Sequence, residues 1–168
     1  FAIDFRKKKN YTDNGTDDIQ YLISTNPGET LKPLGQIVSG GELSRIMLAL
    51  KAILADRDEI ETLIFDEIDT GISGRTAWKV AEQLSVLSGA HQVICITHLP
   101  QIAAMADVHF VIEKSSTDDM TITDIHKVSA EESLAELARL LGSDALTEAA
   151  LSNAKEMKEQ AGMFKEIR

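Results

Sequence analysis

The sequence predicts an α/β fold, and three observations carry that reading. Two short apolar runs, Thr62-Leu63-Ile64-Phe65 and Gln92-Val93-Ile94-Cys95-Ile96, pass directly into polar residues, Asp66-Glu67 and Thr97-His98. Buried parallel strands end this way at the carboxyl edge of a sheet, where α/β folds place their ligands. Between them Ala77, Val80, Ala81, Leu84 and Leu87 recur at helical spacing within Ser73 to Leu87. The result is a strand–helix–strand unit, whose crossover is expected to be right-handed.

The remaining elements follow in order. Residues 1–5 and 19–25 read as strands, joined by a polar loop around Tyr11 to Asp18, and Asn26-Pro27-Gly28 reads as a turn. After Gly40-Gly41, the positions Leu43, Ile46, Met47, Leu50, Ile53 and Leu54 give a helix with one apolar face, expected to be buried. Leu99 to Ala106 is a short helix that tolerates Pro100 in its first turn. Val108 to Glu113 and Met120 to Val128 alternate around Ser115 to Asp119, the pattern of a β-hairpin. Ser129 and Glu132 form a capping box before a helix with Leu134, Leu137, Ala138 and Leu141 inward and Gly142 as its stop. A last helix spans residues 144–160, and Trp78 and Met47 are expected in the core.

Composition narrows the class. A chain of 168 residues buries about two-thirds of its extended surface, enough for a single domain with one core. Its 43% hydrophobic and 26% charged content is that of an ordinary globule. No apolar run approaches the roughly 20 residues of a membrane helix. One cysteine, Cys95, excludes an intrachain disulfide and fits a cytoplasmic location. The net charge of −10 argues against a DNA groove built from this chain, because non-specific DNA affinity comes from Lys and Arg. The one basic cluster, Arg6-Lys7-Lys8-Lys9, reads as a solvated strand end.

Chemistry concentrates in a few places. Gly40 and Gly41 open the first long helix, although each costs about 1 kcal/mol relative to Ala. Their presence points to something approaching the backbone closely, and a bare helix N-terminus is an anion site. Ser39 and Glu42 also fit a simple capping box. Asp66 at the strand edge suits Mg²⁺, which takes one or two carboxylates together with phosphate oxygens. Glu67 is positioned to orient or deprotonate an attacking water. His98, from the neighbouring strand, is expected beside both acids. Ile68-Asp69-Thr70-Gly71-Ile72-Ser73-Gly74 reads either as a turn whose Ser73 caps the next helix or as a loop crossing a dimer interface.

Together these residues resemble a family. Ser39-Gly40-Gly41-Glu42 resembles the signature motif of ATP-binding-cassette ATPases, and Ile64-Phe65-Asp66-Glu67 their Walker B strand. Ile68-Asp69-Thr70-Gly71 looks like the D-loop and Thr97-His98 like the switch histidine, in matching order and spacing. Asn26-Pro27-Gly28-Glu29, Phe65 to Arg75 and Thr97 to Asp107 narrow the resemblance to the bacterial DNA-repair branch of the structural-maintenance-of-chromosomes (SMC-like) ATPases. That resemblance implies a mostly parallel sheet flanked by helices with an added β-hairpin. It implies ATP and Mg²⁺ as cofactors, with Asp66 on the metal, Glu67 and His98 catalytic, and Ser39, Gly40, Gly41, Glu42 and Asp69 facing nucleotide. It further implies head dimerisation driven by ATP, in a nucleoid-associated protein of double-strand-break repair and recombination.

No G-x-x-x-x-G-K-S/T occurs in the sequence, so the phosphate-cradling Walker A loop is missing. The chain also opens at Phe1 without Met. It is therefore expected to be the C-terminal lobe of an ATPase head. Its expected partners are an N-terminal Walker A lobe of the same protein, a second head in a homodimer, and DNA held by other parts. A transporter's nucleotide-binding subunit shares these motifs, and without Walker A the isolated chain also fits a non-catalytic docking module.

Overall fold

A computed structural model describes residues 1–24, 28–36, 39–54, 60–117, 120–142 and 146–167. The turn expected at Asn26-Pro27, the hairpin tip at Asp118-Asp119 and the helix start at Asp144 lie outside the described residues. The first sheet is antiparallel: β1 (Ala2–Thr12) pairs with β2 (Gly15–Ile23), and β2 with β3 (Lys32–Pro33). A helix of one 3₁₀ turn, Leu34–Gln36, follows. Both long strands run through what was expected to be loop. The reason is cross-strand chemistry: Arg6 faces Asp18 and Lys7 faces Asp17 in the register, and Lys7–Asp17 and Lys8–Asp18 approach to 3.9 and 3.5 Å. The basic cluster is thus mid-strand and matched by Asp4, Asp17 and Asp18, rather than a strand end.

The strand–helix–strand unit forms as expected. β4 (Thr62–Phe65) and β5 (Gln92–Cys95) are parallel, in register from Thr62 opposite Gln92 to Phe65 opposite Cys95, with α2 (Gly74–Leu87) between them in sequence. All five predicted inward positions of α2 are buried. Val80, Ala81, Leu84 and Leu87 join Leu63, Phe65, Ile68 and Ile102 in the larger core. The sheet is not mostly parallel, however. Among the described residues the parallel part is this pair alone, and the other strands pair antiparallel in separate sheets. Short turns permit only antiparallel pairing, and α2 supplies the crossover that a parallel pair needs.

α3 (Pro100–Met105) begins on its proline and is buried along most of its length. The hairpin of β6 (Phe110–Thr117) and β7 (Met120–Lys127) extends further toward its tip than the sequence pattern implied. α4 (Ala130–Leu140) carries the expected capping box. Ser129 Oγ accepts the Glu132 N–H at 3.3 Å, and a Glu132 carboxylate oxygen accepts the Ser129 N–H at 2.7 Å. Those bonds hold the Glu132 carboxyl below its ordinary value. Gly142, at φ 86°, turns the chain out of the helix. α5 (Glu148–Ile167) runs on past Gln160, because Ala161 and Phe164 pack against the larger core and carry the helix through Gly162. Lys158 donates to the Ala106 carbonyl at 3.2 Å and Lys165 pairs with Asp107, tying α5 to the end of α3.

A second core cluster joins α3, α4 and α5 through Ala103, Leu137, Ala138, Ala154 and Met157, and half-buried Trp78 packs against both clusters. α1 (Gly40–Leu54) departs from expectation. It buries Gly41 and Leu48, whereas Leu43, Met47, Leu50 and Ile53 of the predicted inner face are exposed. Met47 is not a core residue. The outer face of the parallel pair is open as well, with Ile64, Ile94 and Ile96 exposed. No helix among the described residues is long and apolar enough to cross a membrane. Truncating the fully buried Leu137 to Ala should destabilise the chain by about 2–5 kcal/mol in chemical denaturation. The same change at exposed Ile53 should cost no more than about 0.5 kcal/mol. Equal losses would contradict this division of core from surface.

Candidate functional site

The site is built where the first turn of α1 presses on the turn that leaves β4. A Cβ on Gly41 would lie 2.8 Å from the Glu67 carbonyl oxygen and 3.0 Å from Thr70 Cβ. On Gly40 it would lie 2.5 Å from a Glu67 carboxylate oxygen. The glycine pair therefore has an intramolecular cause: the acidic turn occupies the space that side chains would need. Glu67 itself sits at φ 55°, in the left-handed region that non-glycine residues rarely adopt. Local bonds hold it there. The Asp66 carboxylate accepts the Glu67 N–H at 2.9 Å, and the Glu67 carbonyl accepts the Thr70 N–H at 3.1 Å.

Two side chains of α1 fasten the same turn. Ser44 Oγ donates to the Asp66 carbonyl at 3.0 Å. Arg45 Nη1 donates to the carbonyls of Ile68 and Thr70 at 3.1 and 2.8 Å. Neither residue was singled out for a role from sequence. The available signal was spacing, because Arg45 stands four residues after Gly41 and so shares its face of the helix.

On its other side the turn holds the loop after β5. Asp69 is only 4% exposed, and its Oδ2 accepts Thr97 Oγ1 at 2.6 Å and the His98 N–H at 2.8 Å. The same oxygen lies 3.0 Å from His98 Nδ1. His98 thus rests on Asp69, where the sequence had placed it beside Asp66 and Glu67. The Asp69 carboxylate faces Thr97 and His98 rather than solvent. Asp66, Glu67 and the His98 ring are exposed at the carboxyl end of the parallel pair, and Ser39 and Glu42 are half-buried at the start of α1. Ser73 occupies the N-cap of α2, as one of the two readings of this loop had it, but makes no side-chain capping bond. The Cys95 thiol is pushed up to about 12 by burial and then by Asp69 and Asp66, so it stays protonated and unreactive.

The donor set decides which cation could fit. Among the described residues no group of three or more His, Cys, Asp or Glu converges to hold a metal ion. Asp66 and Glu67 offer hard, exposed carboxylates at the strand edge, which suit Mg²⁺ shared with phosphate oxygens better than an all-protein cage.

The fold and site together define an α/β chain whose polar turns and one helix start gather at a single sheet end. No family model matches it. Its relatives are proteins named DNA repair protein RecN. It is 45% identical to that of Halalkalibacterium halodurans over 158 residues, covering 94% of this chain and 28% of that protein. It is 46% identical to that of Bacillus subtilis over 154 residues, 92% of this chain and 27% of that protein. It is 51% identical to that of Treponema pallidum over 143 residues, 85% of this chain and 25% of that protein. The chain is homologous to RecN and spans little more than a quarter of the length of these relatives. A solved chain described under "Structural biochemistry of ATP-driven dimerization and DNA stimulated activation of SMC ATPases" superimposes with a TM-score of 0.49 at 22% identity, over 85% of this chain and 84% of that one. That likeness is too loose to argue from.

The two glycines should differ under substitution. Gly41→Ala drives a Cβ into backbone and should destabilise the chain by about 1–3 kcal/mol, read from the denaturation midpoint. Gly40→Ala meets only the end of the Glu67 side chain, which can swing aside, and should cost less. A larger loss at Gly40 would contradict the packing described.

Proposed function

We propose that this chain is the C-terminal lobe of the ATPase head of a RecN-type protein, acting in DNA repair through ATP-dependent head dimerisation. The homology to RecN supports the reading at the level of the whole protein. At the level of residues it is carried by one observation: the Gly40-Gly41 helix start and the Asp66-Glu67 turn are packed against each other at the carboxyl end of a parallel strand pair. With both at one sheet end, a head can present its metal-and-water site to its own nucleotide and its helix start to that of a second head, in an enzyme that transfers a phosphoryl group by positioning and charge stabilisation.

In this reading Asp66 holds Mg²⁺, which when bound neutralises charge on the triphosphate. Glu67 orients the attacking water and takes its proton, and its left-handed backbone turns the carboxylate out of the strand direction. His98 contacts the γ-phosphate of the same nucleotide. Ser39, Gly40, Gly41 and Glu42 face the nucleotide of a second head. Asp69 works from inside, through the loop that bears His98, instead of touching nucleotide directly. Walker A comes from an N-terminal lobe, which would also cover Ile64, Ile94 and Ile96 and the exposed stripe of α1. DNA is bound by other parts of the protein.

Two substitutions in the full-length protein test the assignment. Glu67→Gln should leave ATP binding near wild type and slow hydrolysis by roughly 10²–10⁴-fold. Turnover at the wild-type rate would remove Glu67 from the base role. Ser39→Arg should abolish ATP-dependent dimerisation in analytical ultracentrifugation while the monomer keeps its ATP affinity. Unchanged sedimentation would count against a site shared by two heads.

A further inference from the structure

We infer that Asp69 is a positioning residue for His98 and acts on the reaction only through it. This rests on the proposed function, since it concerns how His98 is set for a phosphate oxygen. A carboxylate that is 4% exposed must use its lone pairs inside the protein, because an unpaired buried charge is very costly. Asp69 uses them on one short segment: it accepts the Thr97 hydroxyl at 2.6 Å and the His98 backbone N–H at 2.8 Å, and the same oxygen lies 3.0 Å from His98 Nδ1.

Each bond removes a freedom that His98 would otherwise have. The backbone bond fixes where the residue begins. The carboxylate also stands 3.0 Å from Nδ1 on one side of the ring, which leaves Nε2 as the nitrogen for an outside ligand on a side chain that is 70% exposed. Thr97 Oγ1 donates to Asp69 and accepts the Leu99 N–H at 3.0 Å, so its hydroxyl also has a defined direction. Asp69 is itself held, because Arg45 binds the carbonyls on either side of it, at Ile68 and Thr70. A polar path thus runs from α1 through Arg45 and the acidic turn to Asp69 and the His98 ring. A carboxylate orienting an imidazole in this manner is a recurring arrangement wherever the other ring nitrogen must meet a ligand.

The test is a double-mutant cycle on single-turnover ATP hydrolysis by the full-length protein, with Asp69→Asn, His98→Ala, their combination, and Thr97→Val. Asp69→Asn should slow hydrolysis roughly 10–100-fold, the range seen when a group that orients a ligand-bearing histidine is lost, with little change in the ATP concentration at half-saturation. In the His98→Ala background the same change should have no further effect, because residues that act as a unit are not additive. Thr97→Val should give a smaller loss that also vanishes with His98→Ala, and it carries the test if Asp69→Asn does not fold. Losses that multiply, or wild-type turnover in Asp69→Asn while His98→Ala is slow, would overturn the positioning role and leave the proposed function standing. Wild-type turnover in His98→Ala would overturn the proposed site itself.

Discussion

The acidic turn from Asp66 to Thr70, gripped from both sides, is the constraint on which the rest of the site depends. On one side the first turn of α1 approaches so closely that a Cβ on Gly41 would sit 2.8 Å from backbone. On the other, Asp69 accepts the Thr97 hydroxyl and the His98 N–H and lies 3.0 Å from the His98 ring. Holding Glu67 in the left-handed region costs about 1–3 kcal/mol. Hydrogen bonds that involve a charged group contribute about 1.5–3 kcal/mol each, and Arg45 and Asp69 supply several. The grip therefore offsets the strain, and the Glu67 backbone is held where an extended strand would not put it.

How much of this was legible in the sequence depends on the range of the interaction. The β4–α2–β5 unit and the Ser129 capping box are local patterns, read from periodicity and from a spacing of three residues, and both formed as expected. The mid-strand charges of β1 and β2 resembled a polar loop, because a basic run and an Asp- and Asn-rich stretch carry no apolar alternation, and their match shows only once the strands are paired. The apolar stripe of α1 was visible, but periodicity says only that a face is apolar and not what covers it. The Asp69–His98 link spans 29 residues of sequence, and the Arg45 clamp on Thr70 spans 25. Nothing in composition or spacing identifies such pairs. What sequence did supply was a neighbourhood, with acids and histidine at one sheet edge, and not the contact of Asp69 with His98.

The exposed apolar surfaces belong in the same account. Leu43, Met47, Leu50 and Ile53 on α1 and Ile64, Ile94 and Ile96 on the parallel pair are costly to leave in water, at about 25 cal/mol per Å². Leu43 and Met47 of α1 line one cleft with Ile64 of β4. The RecN relatives are much longer than the stretch this chain matches, and in the proposed head sequence of that kind would cover these faces. In the proposed head, the lobe that brings Walker A would also complete the core, so that folding of the interface and assembly of the nucleotide pocket become one event. The paired strand β5 would otherwise leave an open edge, the usual hazard of an unfinished sheet.

The most direct measurement of the central claim is a structure of the full-length protein with Mg²⁺ and a non-hydrolysable ATP analogue. The account predicts Asp66, Glu67 and His98 around the γ-phosphate and metal of one nucleotide, and Ser39, Gly40 and Gly41 against the nucleotide of the second head. A nucleotide bound away from these residues, or heads joined with the α1 start facing solvent, would contradict it.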